Sequence, residues 1–134
     1  MPEVPLSWAM LAAALIRMAI GAVWFSPIGF AERWRGIVGL SPEDVRATMP
    51  RAIAADAIAS FIMAIVLAHA VAYAGAATVG QGAAVGFFNW LGFVAMIQFT
   101  AVLYERRPLK LFFLQSGFNM IALVLMGVLL AVWR

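Results

Sequence analysis

Two ionisable residues interrupt long apolar runs: Arg17 lies inside residues 5–25, and Asp56 inside residues 52–73. A charge at the centre of a membrane-spanning helix costs roughly 2.5–3.5 kcal/mol on insertion scales, so each requires a partner or a water-filled site. Arg17 stands about 12 Å from the far end of its run, at ~1.5 Å per residue. Asp56 stands about one and a half turns into its own run from the same side, so the two depths overlap. Three readings follow. Arg17 and Asp56 form a structural ion pair that locks the first run to the second. Arg17 snorkels toward the interface on its methylene stem. Or Arg17 coordinates an anionic ligand or permeating anion, with Asp56 tuning it. Met10, Ala13, Gly21 and Trp24 share the Arg17 side of a helix at ~100° per residue. The small residues among them favour close packing against another helix, and so the ion pair. Trp24 is two turns from Arg17, too far for an easy cation–π contact.

The other polar groups within apolar runs are Ser60, His69, Asn89, Gln98, Thr100, Gln115, Ser116 and Asn119. Helical spacing places Gln115, Ser116, Asn119, Ala122 and Met126 on one face, and Gly82, Gly86, Asn89, Phe93 and Thr100 on another. Side-chain amides bridging helices account for most of this pattern. The alternative is a polar file whose amides replace a solute's hydration. On that reading the candidate ligand or ion pathway is Arg17, Asp56, Asn89, Gln98, Gln115 and Asn119. His69 lies on a different face from Asp56 and reads as a hydrogen-bonded filler more readily than as a proton carrier.

Composition sets the solvent for these groups. Of 134 residues, 66% are hydrophobic and 11% charged, whereas soluble domains are about half apolar and about a quarter charged. Lipid is the matching environment. The net charge of +3 does not indicate nucleic acid, because the basic residues sit in short loops between apolar runs. Cysteine is absent and His69 is the single histidine, which leaves no metal cluster within one chain. No nucleophile elbow, Walker loop, dinucleotide fingerprint or zinc motif is present. The expectation is a non-enzyme with no cofactor and no metal; a lipid-modifying enzyme ranks last, because no spacing supports its acid–base groups.

The elements that position these residues are four apolar runs, over residues 5–25, 52–73, 82–104 and 109–133, each near the ~20 residues that cross a bilayer. They predict an all-α polytopic membrane protein, a four-transmembrane-helix bundle forming a single domain over residues 1–134. Met-Pro-Glu lacks a positive leader region and Arg17 would break a leader's apolar core, so the first run is expected to be retained. Ser26-Pro27 ends the first run, because proline restricts its predecessor and lacks a donor. Residues 26–50 form the one long loop. There Phe30, Trp34 and Ile37/Val38 recur at helical spacing among Glu32, Arg33 and Arg35, the pattern of a short amphipathic interfacial helix. Ser41-Pro42-Glu43-Asp44 then starts a second short helix leading to Pro50.

Seven basic residues (Arg33, Arg35, Arg46, Arg51, Arg106, Arg107 and Lys110) lie in or beside the first and third loops, against Arg134 in the tails. The positive-inside rule places those loops in the cytoplasm and both termini outside. Trp8, Trp24, Tyr73, Tyr104 and Trp133 lie near run ends, where aromatic belts form. Gly82-Ala83-Ala84-Val85-Gly86 permits close helix approach, within the chain or between chains.

Trp24-Phe25-Ser26-Pro27-Ile28-Gly29-Phe30, followed by Trp34 and Gly39, resembles the Trp-aromatic-Ser-Pro…Phe…Trp…Gly signature of domain-of-unknown-function family 1761. Asn89-Trp90-Leu91-Gly92-Phe93, Tyr104-Glu105-Arg106-Arg107-Pro108 and a last helix ending near Trp133 agree with it. Phe25 stands where the pattern leads one to expect tyrosine. The resemblance implies a short bacterial membrane protein of about four helices, placed in the inner membrane, with Trp24, Ser26, Pro27, Phe30 and Trp34 as its interfacial motif. It implies no activity.

Two functions from different classes remain. The first is a homo-oligomeric channel or transporter for a small solute, an anion or weak acid on the strength of Arg17. In size and helix number the chain is similar to small multidrug exporters and fluoride channels, but it lacks the first-helix acid of the former and the Thr/Ser-Phe motif of the latter. The second is a non-catalytic membrane accessory or scaffold protein acting through residues 26–50. The expected partners are membrane lipid, further copies of the chain and a small solute.

Overall fold

The structure is a computed structural model and describes residues 3–133; Arg134, counted above among the tail charges, lies outside the described residues. The chain is all-helical: α1 (Trp8–Trp24), α2 (Ala31–Val38), α3 (Pro42–Ala74), α4 (Val79–Asn89), a π-helical turn (Trp90–Ala95), α5 (Met96–Tyr104) and α6 (Leu109–Val132). Among the described residues, three helical stretches are long and apolar enough to cross a membrane: Pro42–Ala74, Val79–Tyr104 and Leu109–Val132. The apolar helix α1 has 17 residues, about 26 Å at 1.5 Å per residue, somewhat less than the ~30 Å hydrocarbon thickness. It starts later than predicted because the backbone is still extended at Ser7 (φ −145°, ψ 162°).

The largest departure from the sequence reading is α3. Its start is as predicted: the Ser41 hydroxyl accepts from the Asp44 N–H at 3.1 Å, and the Asp44 carboxylate accepts from the Ser41 N–H at 3.0 Å. Two orphan donors are satisfied reciprocally. The hydrogen bond from the Ser41 backbone, and then that with its side chain, hold the Asp44 carboxyl below its ordinary value of 3.8. No separate second helix ends at Pro50, however. The helix runs through Pro50 for 33 residues, about 50 Å. Proline removes one donor, the partner of the Arg46 carbonyl. Both Arg46 and Pro50 are exposed, so water can satisfy that carbonyl. A helix some 20 Å longer than the hydrocarbon core carries Glu43, Asp44, Arg46 and Arg51 beyond the apolar stretch.

A second departure lies in Val79–Tyr104, where the wider π turn shifts the helix register. The predicted face holds for Gly82 and Gly86, which are buried, and fails at Phe93, which is 71% exposed.

Helix α6 is the central element and touches every other helix. Its contact with α4 is the closest. A Cβ on Gly86 would clash with the Leu123 carbonyl oxygen and lie 2.7 Å from its carbon, and one on Gly82 would clash with the Gly127 carbonyl oxygen. Gly127 meets the Gly82 carbonyl in return. The Gly82–Gly86 motif therefore acts within the chain. The hydrophobic core joins Ala9, Met10, Ala13 and Ala14 of α1 to Ala64, Leu67, Ala68 and Val71 of α3 and to Leu123, Met126 and Leu130 of α6. Alanine dominates the α1–α3 contact. Small side chains let backbones approach, which is how helices gain dispersion energy where lipid removes the hydrophobic drive.

Candidate functional site

Arg17 and Asp56 meet. Nη1 of Arg17 donates to Oδ1 of Asp56 at 2.6 Å and to Oγ of Ser60 at 2.8 Å. Ser60 lies one turn beyond Asp56 on α3, so one helix face presents both acceptors. The Phe118 ring of α6 stands 5.1 Å from the guanidinium carbon, within cation–π range. Arg17 thus ties α1 to α3 by a charge-assisted pair and to α6 by an aromatic face. The pair is asymmetric: the Arg17 side chain is 12% exposed and that of Asp56 44%. Met10 and Ala13, on the Arg17 side of α1, are buried, while Gly21 abuts Phe118. Trp24, on the same side, donates its indole N–H to the Leu114 carbonyl of α6 at 2.9 Å.

The remaining pathway candidates do not assemble. Asn89 donates to the Val85 carbonyl at 2.8 Å, and Asn119 to the Gln115 carbonyl at 3.0 Å, each four residues back on its own helix. The Gln98 side-chain oxygen is buried without a hydrogen-bond partner. Among the described residues no side-chain hydrogen bond joins Asn89, Gln98, Gln115 and Asn119 to one another. His69 places Nδ1 2.8 Å from the Ile65 carbonyl; the carbonyl can only accept, so Nδ1 donates. Besides the expected Arg17–Asp56 pair, the bridging roles of the Trp90 indole and the Phe118 ring escaped the sequence reading. Trp90 in the π turn donates to the carbonyl of buried Ser116 at 2.9 Å and lies 3.1 Å from its hydroxyl. Ser60 and Phe118 complete the Arg17 site. Ser60 carried a signal, being four residues from Asp56; Phe118 carried none, because nothing in an apolar run marks which ring faces a cation.

The interfacial motif forms a compact corner between α1 and α2. Ser26 donates its hydroxyl to the Val23 carbonyl at 2.6 Å, and the Phe30 N–H reaches the Trp24 carbonyl at 2.8 Å. Gly29 is required there: a Cβ would lie 2.5 Å from the Trp24 oxygen. Pro27 is exposed within the turn. The rings then interlock, with Trp24–Phe30 centroids 4.9 Å apart, Phe25–Trp34 5.8 Å and Phe25–Phe118 5.6 Å. Phe25 contributes its ring edge and face, a role that needs no hydroxyl. The corner fixes α2 against the start of α6, and between them opens a cleft of about 700 Å³ bordered by Glu32, Arg33 and Lys110. No group of three metal-binding side chains occurs among the described residues.

A small all-α chain built on helices of membrane-spanning length, cross-tied by a half-buried arginine and by indole N–H groups, defines the class. Within that class the chain belongs to the family described as Protein of unknown function (DUF1761), whose pattern matches residues 8–131. No curated protein and no solved structure matches it.

Proposed function

We propose that the protein is a four-span integral protein of the bacterial inner membrane, with both termini outside, and a non-catalytic accessory protein that works through residues 26–50. The aromatic corner carries this reading. Five interlocking rings and the Trp24 N–H hold α2 in one orientation, so that exposed Glu32 and Arg33 and half-buried Arg35 are presented on a rigid support. Preorganisation of this kind lowers the ordering cost of binding. Arg17 supports the same reading, since its Nη1 is engaged by Asp56 and Ser60 and its guanidinium faces Phe118, although its Nε is buried without a partner. With α1 as the fourth span, loops one and three share the cytoplasmic side, as the basic residues require.

The test has two arms. Proteoliposomes of the purified protein are assayed for flux of halides, small organic acids, alkali cations and protons. In cells, a photocrosslinker at Arg35 is compared with one at lipid-facing Val66. The expected result is no flux and a discrete protein adduct from position 35, lost in Arg33→Glu. Flux that disappears in a folded Arg17→Met variant overturns the proposal.

One observation favours a second reading, a homo-oligomeric channel or transporter for a small anion. Asp56 leaves nearly half its side chain uncovered beside exposed Ala52, Ile53 and Ala59 on α3. A second copy packed on that face would shield the carboxylate. A concentration-independent oligomer in nanodiscs that Ala59→Trp dissociates is its distinguishing result.

A further inference from the structure

We propose that the cleft between α2 and the start of α6 binds one anionic phospholipid, with its phosphate at Arg33 and Lys110 and an acyl chain along Phe113 and Leu114. The inference requires a membrane location but not the accessory role, and lipid binding to purified protein can fail while the crosslink at position 35 survives.

The cleft has the size and chemistry for this occupant. Its volume of about 700 Å³ falls within the range of small-molecule sites, roughly 300–1,000 Å³. Trp24, Phe30, Ile37, Phe113 and Leu114 supply apolar walls. These walls are largely preformed: Trp24 is fixed by its bond to the Leu114 carbonyl, and Phe30 rests on Trp24. Gly36 borders the cleft without a side chain to fill it.

Arg33 and Lys110 both line the cleft. Lys110 is the second residue of α6, while Phe113 and Leu114 lie about one turn further into the apolar run. The guanidinium of Arg33 sits 6.0 Å from the Phe30 ring centroid. Neither Arg33 nor Lys110 forms an ion pair among the described residues, where the pairs are Arg17–Asp56 and Arg107–Glu105. Glu32 is the one acid on the rim, so the lining carries a net positive charge. A cleft lined by two cations and by apolar side chains matches an anionic amphiphile. A free anion would leave the aromatic wall unused, and a zwitterionic lipid would gain little from the cations. Basic pockets between membrane helices hold anionic headgroups by this logic, at about 1 kcal/mol per Lys or Arg.

The full-length protein in a mild detergent is titrated with dioleoyl phosphatidylglycerol or phosphatidylcholine, and bound lipid is counted by native mass spectrometry. One phosphatidylglycerol per chain is expected, bound in preference to phosphatidylcholine. Arg33→Ala and Lys110→Ala each weaken it about five-fold, and the pair about 25-fold. Glu32→Gln tightens it about five-fold, which keeps the test decisive if the double variant fails to fold. Arg46→Ala/Arg51→Ala, on α3 outside the cleft, leaves the affinity unchanged. Equal binding of the two lipids, or equal loss in the α3 control, overturns the proposal. Displacement of the lipid by millimolar inorganic phosphate also overturns it, since the site would then read a free anion.

Discussion

The asymmetric burial of Arg17 and Asp56 predicts an asymmetric double-mutant cycle. Asp56→Ala leaves the guanidinium, 12% exposed, with Ser60 and Phe118 but no counter-charge. Removing the counter-charge of this part-buried pair should cost about 3 kcal/mol, the lower end of the range for fully buried pairs. Arg17→Met keeps much of the packing volume and strands a carboxylate that is 44% exposed. The carboxylate is the less covered partner, so the expected loss is smaller, about 1.5 kcal/mol. The double variant Arg17→Met/Asp56→Ala removes both charges and leaves methionine beside Ser60 and Phe118. It should be destabilised by no more than about 1.5 kcal/mol, because an uncharged, well-packed replacement of an ion pair is often neutral. The coupling is then about 3 kcal/mol, with the double variant more stable than Asp56→Ala alone. The assay is unfolding by sodium dodecyl sulfate in mixed micelles, followed by far-UV circular dichroism and tryptophan fluorescence. Losses that add within about 0.5 kcal/mol would refute the reasoning, as would Arg17→Met being the worse single change. A stabilising Arg17→Met would mark Arg17 as a strained, functional cation.

Three further outcomes follow. Gly86→Ala drives a methyl into the Leu123 backbone, with Val124 Cα 2.9 Å away, and should cost about 1–3 kcal/mol in the same micelle assay. Gly80→Ala, on the same helix with no atom within 4 Å of its Cβ position, should be neutral or stabilising by up to about 1 kcal/mol; equal losses at the two sites would contradict the α4–α6 crossing. Trp24→Phe deletes the 2.9 Å bond to the Leu114 carbonyl and should cost about 0.5–1.5 kcal/mol, read as a lower unfolding midpoint. The Asp44 carboxyl is held below 3.8 by Ser41, so the capping box contributes stability above that pH and loses it as pH falls through the lower folded-state value. Carbon-detected NMR of the Asp44 carboxyl should show a midpoint below 3.8 that moves back toward it in Ser41→Ala.

Some of this architecture could be read from the chain because its physics is local or has few solutions. The start of α3 is set by Ser41, Pro42 and Asp44, whose geometry needs no other element. The Arg17–Asp56 pair follows from the cost of unpaired charge in an apolar helix, which leaves few partners at the matching depth. Where the answer depended on tertiary context, local rules misled. Pro50 looked like a boundary, yet water at its exposed turn can take the released carbonyl, so the helix continues into the apolar run. The π turn over Trp90–Ala95 has no sequence mark, and it voids the helical arithmetic that placed Phe93 beside Gly86. The amides of Asn89 and Asn119 looked like helix-bridging groups but bond to their own helices.

These departures share a cause that bears on function. An asparagine in an apolar helix can satisfy its donor on the carbonyl four residues back, and Asn89 and Asn119 both do so. An indole N–H cannot bend back in that way, so Trp24 and Trp90 must reach another helix, and both reach α6. Inter-helix specificity in this bundle therefore rests on tryptophans, glycines and one ion pair rather than on amides. That division places Trp24 at the junction of the bundle with the α2 corner: its N–H belongs to the bundle and its ring to the cleft. A change that loosened Trp24 would disturb the cleft and the 26–50 surface together while leaving Arg17 and Asp56 paired. The Trp24→Phe variant should accordingly lose affinity for phosphatidylglycerol and retain the Arg17–Asp56 coupling energy, a combination that no global destabilisation reproduces.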